Sequence, residues 1–171
     1  MRKAMLSIKK LLVRYFIGIS IEITCIILLV ITGQTIVGVG FSHAVVIGFF
    51  AGIINIVPYL GPIIGSTLGL LIGLVNHLEM DFYTQLFPML IFMTVVFLIV
   101  HAIDNFVFQP LIYSSSVKAH PLEIFLVILA ASTIGGILGM IVAIPLYTII
   151  RVIAKEFFNE YKVVKKLTRK I

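Results

Sequence analysis

The run HAIDNFVFQP sets His101, Asn105 and Gln109 at four-residue spacing and puts Asp104 one turn from His101. On an α-helix these side chains share a broad polar flank. The cluster follows residues 86–103, which carry no Asp, Glu, Lys or Arg. An ionisable group at the end of such a segment is a hypothesis about ion or substrate coupling, and it calls for a partner. Lys118 and Arg151 are candidates to pair with Asp104, and His101 could exchange a proton with it. The competing reading ends the helix near Ile103 and lets the cluster meet headgroups and water.

A second constellation lies in NIVPYLGPIIG, residues 55–65, where Pro58, Gly61 and Pro62 interrupt an apolar stretch. Each proline lacks a backbone N–H, and the carbonyls left without helical partners are costly in hydrocarbon unless protein or a water-filled cavity covers them. Gly- or Pro-interrupted segments in two places mark the transport path in transporters. A tight turn at the membrane surface is the alternative. Asn55, just before the break, could line a path or cap the broken backbone. The run GGILG at Gly135–Gly139, followed by Pro145, is the second interruption.

Glu22 sits well inside the first apolar stretch, where an acid costs about 2.5 kcal/mol or more. His43 is one group that could face it; a protonated Glu22 buried in a helix interface is the other account. Enzyme signatures are missing: no HExxH, GxSxG or phosphate-binding loop occurs. His43, His77, His101 and His120 have no metal-ligand spacing, and Ser114–Ser116 form a loop run. The sequence reads as a non-enzyme with neither metal nor cofactor.

The elements that hold these residues follow from composition. Of 171 residues, 61% are hydrophobic and 12% charged, with mean hydropathy +1.21, against roughly 25% charge in soluble domains. Stretches at 15–32, 41–57, 61–76, 86–103, 122–134 and 137–150 are almost free of charge and read as membrane helices or half-helices. Strict alternation is lacking, which disfavours a β-barrel. The expected fold is all-α: a polytopic helical membrane protein with two Gly/Pro-broken helical hairpins.

Charge placement orients it. Of the 13 Lys and Arg, all but Lys118 lie in residues 1–14 or 151–170. Basic clusters beside membrane segments mark cytoplasmic ends, so both termini are expected inside and the number of crossings is even. Net charge +6 thus speaks for a bilayer rather than nucleic acid. Residues 124–150 are uncharged, too long for one upright helix and short for two, so they should turn back at GGILG. Residues 41–76 should likewise turn back at PYLGP. Each could be a pair of spans or a re-entrant hairpin.

The acidic loop HLEMDFY then lies outside, and the loop holding Lys118 inside. The expected organisation is a basic cytoplasmic segment over 1–14, a membrane domain over 15–155 and a basic amphipathic tail over 156–171. The first apolar stretch lacks a cleavage pattern and is read as retained. Cys25 is the only cysteine, which excludes an internal disulfide.

Glycines add a packing pattern. Gly61, Gly65, Gly69 and Gly73 recur at four-residue steps, as do Gly48 and Gly52, and Ala131, Gly135, Gly139 and Ala143. Small residues at this spacing make smooth faces for close helix contact; a sliding surface is the alternative use.

Three pieces resemble the autoinducer-2 exporter (AI-2E) family of membrane permeases: IVPYLGPIIG at 56–65, DNFVFQPLIYSSSVKAHPLEIFLVIL at 104–129 and GGILGMIVAIPLYTIIRVI at 135–153. Their order and spacing match that family's C-terminal half. On the motif positions fall Pro58, Gly61, Pro62, Asp104, Asn105, Pro110, Gly135, Gly136, Gly139 and Pro145. The resemblance implies a homo-oligomeric permease for a small solute, with members linked to export of autoinducer-2 and others to exchange of sodium or lithium for protons. Family members carry further helices before the part seen here, so a truncated product, a fragment or a partner-requiring, non-transporting scaffold is also among the expectations.

Overall fold

Long uncharged runs without β-alternation favour helix, because in lipid only internal hydrogen bonding satisfies the backbone. The computed structural model describes residues 2–57, 60–111 and 120–157, and every element in it is helical. Pro58, Lys118, Ser114–Ser116 and the tail beyond residue 157 lie outside the described residues. In order come α1 (Arg2–Val37), α2 (Phe41–Ile54), α3 (Leu60–Asn76), a π turn (Phe82–Leu86), α4 (Phe87–Ile103), a second π turn (Asp104–Phe108) and α5 (Pro121–Phe157). α1, the helix over 82–111 and the stretch in α5 are each long and apolar enough to cross a membrane.

Polarity is inverted relative to a water-soluble protein. Phe41, Phe92, Leu98 and many other large apolar side chains point outward, while Glu22, Gln34, Asn55 and Asp104 are buried. Outward apolar surface on this scale has lipid as its solvent. The chain is a multi-pass membrane protein.

Two compact units divide the chain, Ser20–Phe108 and Met1–Ile19 with Gln109–Ile171. In the first, α2 and α3 form a hairpin across the PYLGP break, as the interruption predicts. Its closeness depends on glycine. A Cβ on Gly65 would stand 3.1 Å from the Ala51 Cα, and one on Gly48 would stand 2.9 Å from the Ile27 carbonyl oxygen of α1. Gly69 and Gly73 lie against Phe97 and Met93 of α4. Phe97 and Met93 join Ile26, Val30, Ile47 and Val100 in the core. At 1.5 Å per residue α2 reaches about 21 Å and α3 about 26 Å, short of a ~30 Å hydrocarbon core.

In the other unit, α5 is two helical arms that meet at Gly136, whose φ of 55° and ψ of −138° are non-helical and reverse the chain. That conformation favours glycine. The reversal is plain from side chains: the Tyr147 hydroxyl donates to Glu123 Oε2 at 2.9 Å, although a straight helix would separate them by roughly 36 Å. Gly139 lies against the Ala131 carbonyl. The Ala131, Gly135, Gly139 and Ala143 series is therefore split across a bend rather than lying on one helix face. Gly135 is exposed and Ala143 buried. The Arg151 guanidinium stands 5.6 Å from the Tyr147 ring centroid. Although α5 is long enough to span when counted by length, it is a hairpin.

Candidate functional site

The site lies in the Ser20–Phe108 unit, where three elements each bring one polar side chain into an apolar interior. α1 brings Glu22. Its inward face runs Glu22, Ile26, Val30 and Gln34 at four-residue steps, all of them buried, and the apolar members hold that face against α4. At one end the Gln34 Nε2 donates to the Met93 carbonyl of α4 at 3.3 Å.

The hairpin break brings Asn55. It caps α2 in αR geometry with its N–H bonded to the Ala51 carbonyl. The Ile56 and Val57 amides turn back to the Ile53 and Ile54 carbonyls at 3.2 Å, and the Gly61 amide reaches the Val57 carbonyl at 2.8 Å. The amides of Asn55, Ile56, Val57 and Gly61 are thus taken up within the turn itself. What the break offers the interior is a side-chain carboxamide. Gly61 makes this possible, since a Cβ there would stand 2.5 Å from both the Asn55 Cα and the Ile54 carbonyl oxygen.

The second π turn brings Asp104. Its wider turn changes the register that a regular α-helix would impose. Asp104 is fully buried and Asn105 exposed, so the four-residue flank of His101, Asn105 and Gln109 expected from spacing is not one face. Gln109, in the other unit, is buried.

The three side chains meet. Asn55 Nδ2 donates to Asp104 Oδ2 at 3.4 Å. The Glu22 and Asp104 carboxyls are electrostatic neighbours in this interior. His101 stacks on Phe97 at 6.0 Å between centroids and has the Pro62 carbonyl and Asp104 as its electrostatic neighbours. Two neighbouring carboxyls, an amide and an imidazole can hold and release a proton, or present oxygens to a small cation.

Several sequence expectations meet this geometry differently. Asn55, Gly61, Pro62 and Asp104 converge. Asn105 and Pro110 face outward, as do Gly135 and Gly136, while Gly139 and Pro145 are half-buried in the other unit. His43 does not face Glu22; its ring packs against His77. Glu22 is the site residue that spacing within motifs missed. Its signal was present in the four-residue series that carries an acid and Gln34 along one otherwise apolar helix face.

No solved structure matches this chain. Among known proteins it is similar to "Putative transport protein YueF" of Bacillus subtilis (strain 168), 30% identical over 126 residues, which is 74% of this chain and 31% of the relative. It is also similar to "Putative transport protein YrrI" of the same organism, 31% identical over 137 residues, covering 80% of this chain and 36% of that protein. The chain thus spans about a third of the length of these relatives. The family model described as AI-2E family transporter matches residues 1–159, and with buried acids, lipid-facing apolar surface and two broken hairpins already in view, the chain belongs to the AI-2E transporter family.

Proposed function

We propose that this chain works as a secondary transporter that moves a small solute, such as the signalling molecule autoinducer-2, with the Glu22–Asp104 pair as its proton-coupling group. The observation that carries this reading is the burial of two neighbouring acids, Glu22 and Asp104, in an apolar interior, with Asn55 of the hairpin break donating to Asp104. A shared proton stabilises two acids together; taking it away leaves like charges in apolar surroundings, which favours another arrangement of the hairpin or entry of a cation. Proton occupancy thereby becomes linked to conformation. Substrate, coupling ion and residue roles are our reading, supported by family membership and by this geometry. No enzymatic step is assigned to the chain.

A second reading is favoured by the same oxygens. Two carboxyls and a carboxamide suit a hard cation, so exchange of sodium or lithium for protons is the alternative. We further infer a bacterial cell membrane with both termini cytoplasmic, from the basic ends, and a homo-oligomer. The test is the full chain in proteoliposomes, assayed for flux of a solute panel and for sodium-driven pH change. Solute flux that depends on a pH gradient and is lost in Asp104→Asn supports the first reading; sodium-driven proton movement supports the second. Flux that is identical in the variant assigns Asp104 a structural role, and a folded chain with neither activity is a scaffold.

A further inference from the structure

The open end of the α2–α3 hairpin carries a pair of side chains that the carboxyl cluster does not use. His43, in the first turn of α2, and His77, just beyond α3, meet with ring centroids 5.7 Å apart and planes at 75°. Each ring is held by the carbonyl four residues before it: His43 Nδ1 lies 3.3 Å from the Val39 carbonyl oxygen, in the turn that precedes α2, and His77 Nδ1 lies 2.8 Å from that of Gly73 in α3. A carbonyl only accepts, so each Nδ1 carries the hydrogen. In the neutral rings each Nε2 then keeps its lone pair.

Metal-ligating histidines are oriented in this way, with the second ring nitrogen donating to a carbonyl that fixes the tautomer. Both rings are half-buried. Two imidazoles on one tetrahedral ion, at about 2.0–2.1 Å per bond, have centroids roughly 5 Å apart, close to the spacing seen. We propose that His43 and His77 form a two-histidine site for a borderline transition-metal dication, Zn²⁺ or Cu²⁺, with water in the remaining positions. Imidazole donors select such ions over Mg²⁺ and Ca²⁺, which prefer oxygen.

The site ties the two free ends of the hairpin. It stands apart from the carboxyl cluster, because His43 precedes Asn55 by twelve residues, roughly 18 Å along the helix. No group of three or more His, Cys, Asp or Glu able to hold a metal occurs among the described residues, so the affinity is modest and depends on both imidazoles.

The test is calorimetric titration of the full chain in detergent with Zn²⁺ at neutral pH. One equivalent is expected, with affinity lowered at least about tenfold in His43→Gln and in His77→Gln and unchanged in His120→Gln. Copper paramagnetic resonance on the unaltered chain is a second readout that needs no variant: hyperfine structure from two imidazole nitrogens is expected. Binding that survives both substitutions, absence of binding, or a copper signal without paired nitrogens overturns the proposal.

Discussion

At the residue scale, function is concentrated in groups that cost stability where they sit. Asp104 and Glu22 are buried side by side, and Asn55 donates to Asp104. Glu22→Gln keeps a hydrogen-bond donor beside Asp104 but removes the titrating group. It is expected to leave the fold intact and to abolish the pH dependence of flux in proteoliposomes. Asn55→Leu withdraws a donor from a buried acceptor, a loss worth about 1–3 kcal/mol. The 3.4 Å bond puts the expectation at the lower end, near 1 kcal/mol, measurable by reversible unfolding in mixed micelles. An equal or higher stability of Asn55→Leu would show that the bond contributes nothing.

At the element scale, what matters is where helices stop and how closely they approach. Gly61→Ala drives a methyl into the Asn55 Cα and the Ile54 carbonyl, which belong to main chain that cannot rotate away. Overpacking of this kind costs about 1–3 kcal/mol. The hairpin tip should loosen, seen as faster amide exchange across residues 54–57 and weaker proton coupling. Asp81 governs another end. It caps the first π turn, accepting from the Thr84 amide at 2.9 Å and from the Thr84 hydroxyl at 2.7 Å. Those donors, the hydroxyl first, hold its carboxyl below the ordinary range. A lowered folded value means that the cap's contribution is complete above the unfolded value, about 3.9, and is lost as pH falls through the lower folded one. Protection of the Thr84 amide, measured against its intrinsic exchange rate, should therefore fall only in strong acid, and be reduced at all pH values in Asp81→Ala.

At the scale of the whole molecule, the exposed surface is lipid-compatible and the polar atoms are inside. Cys25, the only cysteine, sits half-buried within α1. It should resist a charged maleimide added to sealed vesicles and react slowly with a membrane-permeant one. Rapid labelling by the charged reagent would mean that this part of α1 stands in water. Added cysteines near either end should label only from the cytoplasmic face if the basic clusters orient the chain as proposed.

Much of this was legible in residue types. Helical class, membrane residence and both reversals follow from apolar run lengths and from Pro58, Gly61, Pro62 and Gly136, since lipid leaves the backbone few choices and glycine and proline mark where it departs from them. The partners of Asp104 were not legible. Glu22 lies 82 positions earlier, and a π turn re-aims Asp104 while turning Asn105 outward, a register change that four-residue spacing does not encode. Nor could the distance between His43 and His77 along the chain foretell that a hairpin lays one ring against the other. Sequence determined the solvent and the bends, which are local matters of composition and backbone freedom. Only the tertiary structure decided which polar groups share an interior, because that depends on the packing of helices remote in sequence.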